Sequence, residues 1–341
     1  MPVREWGRRC VLIAAVCPLL VSISAPAAAA QSQPPGSGAA AAALRASAYN
    51  EQHPLLAYYY GWWEPERLVA GVHQPAQMPA PGAAHVMDDV GLVTRHVVEA
   101  QDAGIDGFIV SQDSDFERLL SLVAGSDFRV SLHVGSGPAT VETFYRHLDD
   151  PNLVRYEGRP VLFFWQTARS GQATWSDLRG RLDPQRRALW LADGDDFSVL
   201  RGDAFDGISP YTTAWSADPG ATLSSWAGRA RAAAPDKLFV PPVSPGCDDR
   251  PARAATCIQD RAGGAYYQRS LAGALGVHPD WAVVVSTWNE WLEDTQIEPS
   301  VQEGSLYLDL TRAFADVLKG HAAPLGAAGV NANVDSTPDG P

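Results

Sequence analysis

The sequence has 341 residues, with 39 Asp and Glu against 26 Lys and Arg, a formal net charge of −13. That balance argues against nucleic acid and against acidic polysaccharides as partners. Once the two ends are set aside, about 275 residues remain, enough for one large α/β barrel or two smaller domains.

Residues 1–30 read as a secretory signal: Arg4, Arg8 and Arg9 open it, an apolar run covers 11–23, and APAAAA supplies the small-residue cleavage zone. A membrane anchor is the competing reading, but the apolar run is short for a span. Cys17 would permit lipidation, although Val16 is a poor residue before a lipidated cysteine. Residues 31–50, rich in Gln, Ser, Pro, Gly and Ala, read as a flexible linker. Residues 321–341 have no periodicity and are expected to be disordered.

Between these ends, strand-like and helix-like segments alternate. Strands are expected at 55–63, 105–111, 128–134, 160–165, 188–192, 205–211, 238–243 and 281–286, where short apolar or β-branched runs stand between turn residues. Helices are expected at 91–103, 116–123, 138–148, 175–182, 223–234, 265–275 and 306–318. Eight strands alternating with helices is the pattern of a (β/α)8 TIM barrel, and no linker-like stretch divides it, so one domain over 51–320 is expected. A doubly wound sheet would usually carry a Gly-rich phosphate loop after its first strand. Here that place reads GWWEPE.

In a barrel, function gathers at the carboxyl ends of the strands. Those ends carry Tyr60, Trp62 and Trp63, then Gln112, Asp113 and Asp115, then His133, Gln166, Asp193 and Asp195. Tyr211, Ser244, Asp248 and Asp249 follow, and last Glu290 and Glu293. Aromatics and carboxylates with few cations fit a neutral carbohydrate cleft better than a phosphate site. The stretch 281–300, WAVVVSTWNEWLEDTQIEPS, passes from a buried strand to two carboxylates three residues apart among indoles. Carboxyls against apolar rings lose hydration and their proton affinities are pushed apart, so one can stay protonated while its neighbour stays ionised. Cys247 and Cys257 lie close together in a chain expected to be exported, and a disulfide is expected between them. A metal pair there would lack further ligands.

The segment STWNEWLEDTQIEPS resembles the signature of glycoside hydrolase family 99, whose usual form is close to S-F-N-E-W-H-E-G-T-Q-I-E-P. AYYYGWW, AGIDGFIVS, FDGISPY and PPVSPGCDDR are similar to the family's first, second, sixth and seventh strand regions, so the resemblance runs from about Leu55 to Leu318. It implies a (β/α)8 barrel that cleaves α-mannosides internally with retention. It also implies an unusual mechanism, in which Glu290 acts as a base on the sugar's own 2-hydroxyl to give an anhydro-sugar. Glu293 then serves as acid and afterwards base at the glycosidic oxygen. The chain departs from the pattern at Leu292, where the family has His, and at Asp294, where it has Gly. It departs also at Gln112 and Asp113, where a Trp pair is usual, and at His133, where a Glu is expected. Each change is expected to touch the sugar-contacting mouth.

Substrate contacts are expected from Tyr60, Trp62, Asp113, Tyr211, Asn289 and Trp291. Asn289 has two readings, donor to a sugar hydroxyl or clamp on the loop backbone. His133 is equally a sugar contact or a satisfied structural histidine. Asp248, Asp249 and Arg250 favour a local salt-bridged turn, and Glu298 is expected to fasten the loop or face solvent. Asp113 and Asp115 lack a third ligand for a metal. The expected partner is an oligosaccharide or polysaccharide, with no cofactor, no metal and no membrane span, on a monomer. Rival readings are a non-catalytic glycan-binding barrel and an α-1,3-glucanase of the family 71 type. The reading requires Glu290 and Glu293 to reach one solvent-accessible hollow. Either one turned outward, or sealed inside under an arginine, would remove it.

Overall fold

The structure, a computed structural model, describes residues 49, 51–135 and 138–321. The expected signal at 1–30, nearly all of the 31–50 linker, and the 321–341 tail after His321 lie outside the described residues.

Eight parallel strands form the inner layer: β1 Leu55–Tyr59, β2 Gly107–Val110, β3 Arg129–Val134, β4 Arg159–Phe164, β5 Leu189–Ala192 and β6 Gly207–Ile208, then β7 and β8. β7 consists of two short pieces, Leu238–Phe239 and Pro242–Val243, and β8 is Val283–Val285. Each strand pairs in parallel with the next, and β8 returns to β1 with Val283 opposite Leu55. β7 makes the closure. Its first piece pairs with β6 and its second with β8. Between them the Val240 N–H donates to the Ile208 carbonyl, and the Pro241 carbonyl accepts from the Val284 N–H. Pro241 and Pro242 have no N–H to give, which thins the ladder there without breaking the wall.

The outer layer follows in step. α1 Val90–Asp102, α2 Asp113–Leu122, α3 Pro138–Arg146 and α4 Gln172–Leu182 follow the first four strands. A 3-10 helix, Phe197–Arg201, makes the fifth connection. α5 Pro219–Ala233, α6 Ala265–Gly276 and α7 Leu306–Leu318 complete the ring. The result is the expected (β/α)8 barrel. Burial on both faces explains why most of the strands are continuously apolar, although β3, RVSLHV, alternates. At the N-terminal end of the barrel Asp106 accepts the Leu55 N–H (2.8 Å) and the Lys319 ammonium (2.8 Å), tying β1 to the end of α7.

Two elements differ from expectation for local reasons. The sixth strand shrinks from 205–211 to two residues because Pro210 carries no donor and the Tyr211 N–H bonds the Asp193 carboxylate instead. A small antiparallel hairpin, Cys247–Asp248 with Ile258–Gln259, stands where no strand was expected. The Cys247–Cys257 disulfide closes it, with Cα atoms 5.9 Å apart. Among the described residues no helix is long and apolar enough to cross a membrane.

The tight strand spacing at β6 gives a direct test. A Cβ on Gly207 would lie 2.6 Å from the Leu238 carbonyl oxygen and 2.8 Å from Leu191 Cδ2, whereas one on Gly228, exposed in α5, meets nothing within 4 Å. Gly207→Ala is expected to lower the unfolding free energy by about 1–3 kcal/mol. Gly228→Ala is expected to raise it by about 0.5–1 kcal/mol. Urea unfolding of the two variants checks both signs.

Candidate active site

The loop after β8, residues 286–300, is folded onto itself and onto β1. Its Thr287 N–H donates to the Thr295 carbonyl, and the Ile297 N–H returns to Thr287. The Trp288 N–H donates to the Tyr58 carbonyl at 2.8 Å. Asn289 spends its whole amide on one neighbour: Oδ1 accepts the Tyr60 N–H and Nδ2 donates to the Tyr60 carbonyl, both at 2.8 Å. The Asn289 carbonyl takes the Trp63 indole N–H. The side chain that could have met a sugar is the clamp that fixes Tyr60 and Glu290 side by side.

Trp288 and Trp291 are fully buried beneath the loop. The Trp291 Nε1–H donates to Glu298 Oε2 at 3.0 Å, and Glu298 Oε1 lies 2.9 Å from His96 Nε2. Glu298 therefore fastens the loop, and Trp291 is its anchor, away from any sugar. Asp113 opens α2, where it accepts the Thr143 hydroxyl at 2.8 Å, outside the cleft.

The cleft itself encloses about 420 Å³. Tyr60, Trp62, Trp165 and Tyr211 supply its rings, Ser111 and His133 its polar floor, and Glu290, Glu293 and Arg253 its charges. The Tyr60 and Tyr211 hydroxyls meet at 2.6 Å. Asp193, at the end of β5, accepts the backbone N–H of Gln166 (2.9 Å) and of Tyr211 (2.8 Å), so one carboxylate sets the ends of β4 and β6 where Trp165 and Tyr211 emerge. Burial pushes Asp193 up to about 6. Burial also drives the His133 imidazole down to about 3, which leaves it neutral, with Nδ1 3.4 Å from the Ser111 hydroxyl. A neutral imidazole among tyrosine rings suits an uncharged hydroxyl.

Glu290 is 7% exposed. Its burial, then the nearby Glu293 charge, raise its carboxyl well above the usual range, against the Leu292 N–H and the Arg253 and Arg67 cations. Glu293 is more open, its side chain 22% exposed, and the Arg253 guanidinium is paired with its Oε1. Both carboxyls thus reach one solvent-accessible hollow. An arginine does sit on Glu293, but the pair lines the cleft and is not sealed beneath it.

The departures at Leu292 and Asp294 prove not to touch the mouth, a correction to the sequence reading. Leu292 is packed in the core under the loop. Asp294 is buried at φ 53°, the left-handed region a Gly would occupy freely. Its carboxylate meets His73 Nδ1 at 2.5 Å and the buried Arg261 at 3.3 Å. An Asp tolerates that backbone and gains an ion network in exchange. His133 alone among the five departing residues lines the cleft.

The sequence model of glycosyl hydrolase family 99 matches residues 139–318, just over half of the chain. The chain belongs to glycosyl hydrolase family 99. Similar proteins include a human glycoprotein endo-alpha-1,2-mannosidase-like protein, 31% identical over 38% of this chain and 32% of that protein. Another is the glycoprotein endo-alpha-1,2-mannosidase of Xenopus laevis, 26% identical over 53% of this chain and 44% of the relative. The match thus spans less than half the length of either. Among solved structures, the family 99 endo-alpha-mannosidase of Bacteroides thetaiotaomicron superposes with a TM-score of 0.67 at 22% identity, covering 78% of this chain and 97% of that one. That likeness shows the shared fold.

Sequence reasoning missed Trp165 and Arg253. Trp165 was visible as the last residue of an expected strand. Arg253 had no signal, because only the folding back of the hairpin loop brings it to Glu293.

The raised Glu290 carboxyl has a consequence for stability. Below its ordinary value of 4.5 both folded and unfolded chains hold the proton. Above it the unfolded chain releases the proton while the folded one keeps it, so the wild type loses stability as pH rises, by up to about 1.4 kcal/mol per pH unit. Glu290→Gln does not titrate and is expected to gain on the wild type as pH rises above 4.5 in urea unfolding.

Proposed function

We propose that this chain is a secreted, retaining glycoside hydrolase that cleaves internal α-mannosidic bonds, with Glu290 and Glu293 as its catalytic pair. The observation that carries the reading is the meeting of those two carboxyls in one ring-lined cleft at the carboxyl end of the barrel. Tyr60, Trp62, Trp165 and Tyr211 offer apolar faces to pyranose rings, and the Tyr60–Tyr211 hydroxyl pair and His133 offer hydrogen bonds to neutral hydroxyls. The matched endo-mannosidases favour mannose among α-linked sugars. The Cys247–Cys257 disulfide supports export, since such bonds persist in oxidising compartments.

In this reading Glu290 takes the proton of the substrate's 2-hydroxyl. The burial that raises its proton affinity makes the ionised form a strong base, and an apolar surround keeps that strength. Glu293, closer to solvent, protonates the departing glycosidic oxygen and then helps a water open the anhydro-sugar. With the 2-hydroxyl as nucleophile, the short carboxyl separation of a direct displacement is not required. The pair must start with one proton between them, on Glu293.

Glu290→Gln and Glu293→Gln are each expected to lower kcat on an α-mannan oligosaccharide by about 100-fold or more. Binding, measured by calorimetry, is expected to persist. An activated aryl α-mannoside, whose leaving group needs no proton, is expected to restore turnover to Glu293→Gln but not to Glu290→Gln. A fully active Glu293→Gln on the unactivated oligosaccharide removes the acid assignment. A wild type that binds the oligosaccharide and never cleaves it leaves a non-catalytic glycan-binding barrel.

A further inference from the structure

The ligand-free cleft holds its charges in the reverse of the order that this reaction needs. Burial favours the proton on Glu290, while the Arg253 guanidinium is paired with Glu293 Oε1. Glu293 in turn holds the Arg253 guanidinium above its ordinary value.

Arg253 is held in place from behind. Its Nη1 lies 3.5 Å from Asp249 Oδ2. The Asp249 carboxylate is itself fixed by the Thr256 hydroxyl and by the N–H groups of Thr256 (2.9 Å) and Cys257 (3.1 Å). The 247–257 loop is closed by the disulfide, and the Asp248 N–H donates to the Glu293 carbonyl at 2.9 Å. The loop therefore grips Glu293 twice, by backbone and by side chain. The Arg253 side chain is 47% exposed, so its outer side borders solvent. A second hollow of about 430 Å³ lies between this loop and Trp165 and shares Trp165, Tyr211, Arg253 and Glu293 with the main cleft.

We propose that Arg253 is a positioning residue that holds Glu293 charged and facing the cleft in the resting protein. It releases Glu293, remaining on Asp249, when a glycan spans the two hollows. The proton count of the pair does not change. The proton on Glu290 moves to Glu293 as Arg253 withdraws, which leaves Glu290 as the base and Glu293 as the acid. On cleavage Glu293 gives that proton to the glycosidic oxygen and Glu290 takes the one from the 2-hydroxyl. In the water step Glu293 takes a proton from the water and Glu290 returns its own to the 2-oxygen. As the product leaves, the proton on Glu293 passes back to Glu290 and Arg253 closes again on the Glu293 carboxylate. The inference rests on the hydrolase reading above, and adds to it the residue that sets the proton.

The test compares wild type, Arg253→Met and Arg253→Lys. Losing the guanidinium should let the reactive protonation state persist to higher pH. The alkaline limb of kcat/KM on the unactivated oligosaccharide is therefore expected to move up by about one pH unit in Arg253→Met. It should stay in place in Arg253→Lys, and the limb for an activated aryl α-mannoside should move much less. A loop that served only as scaffold would depress the rate alike at every pH; an unmoved limb in Arg253→Met overturns the proposal. A second measurement needs no turnover. The guanidinium 15N–1H signals of Arg253 are expected to show hindered rotation in the wild type and to lose it in Glu293→Gln. A wild type without that signal removes the pairing, whatever its activity. A wild type that shows it but cleaves no α-linked glycan keeps the pairing and removes the hydrolase reading alone.

Discussion

The bonds between Asn289 and Tyr60 govern the rest of the site. One amide satisfies both backbone groups of Tyr60 at the end of β1. It thereby ties together two stretches 229 residues apart in sequence but adjacent in space, because β8 pairs directly with β1. A buried amide with both its donor and acceptor used is costly to move, since each broken bond would leave a polar group without water. Glu290, the next residue, inherits that rigidity. Beneath it, Trp288 and Trp291 fill the space below the loop, and Glu298 holds Trp291 by its indole nitrogen.

The electrostatics of the cleft follow from this seating. Glu290 is buried beside Tyr60 and the loop backbone and has little water, which raises its proton affinity. Three residues on, Glu293 lies nearer to solvent and within reach of a cation delivered from another strand's connection. The asymmetry in exposure between two chemically identical groups is what separates their roles. Asp193 does comparable work for the opposite wall, where its two backbone bonds set Trp165 and Tyr211.

Much of this was legible in the residue order. Continuous apolar runs mark strands buried on both faces, and the spacing of turns marks a barrel; α7 has the bounds its periodicity gave, Leu306–Leu318. Where the structure departs, the causes are short-range and chemical. Pro210 ends a strand early, and the paired prolines at 241 and 242 divide one. Asp294 occupies a Gly position because a left-handed backbone tolerates an Asp whose carboxylate has partners waiting.

Sequence alone determined the barrel, the position of Glu290 and Glu293 at its carboxyl rim, and the family whose pattern they share, because these depend on periodicity and on residues near each other in the chain. Only the tertiary structure decided which aromatic rings face the cleft and which are core. Indole and phenol read the same in a sequence whether they meet sugar or pack under a loop. It also decided that Asn289 and Trp291 serve the scaffold, and that Arg253 reaches Glu293 across forty residues of chain. Such pairings depend on where a loop folds back, and the physics that fixes this is long-range closure of the barrel, which no local pattern encodes.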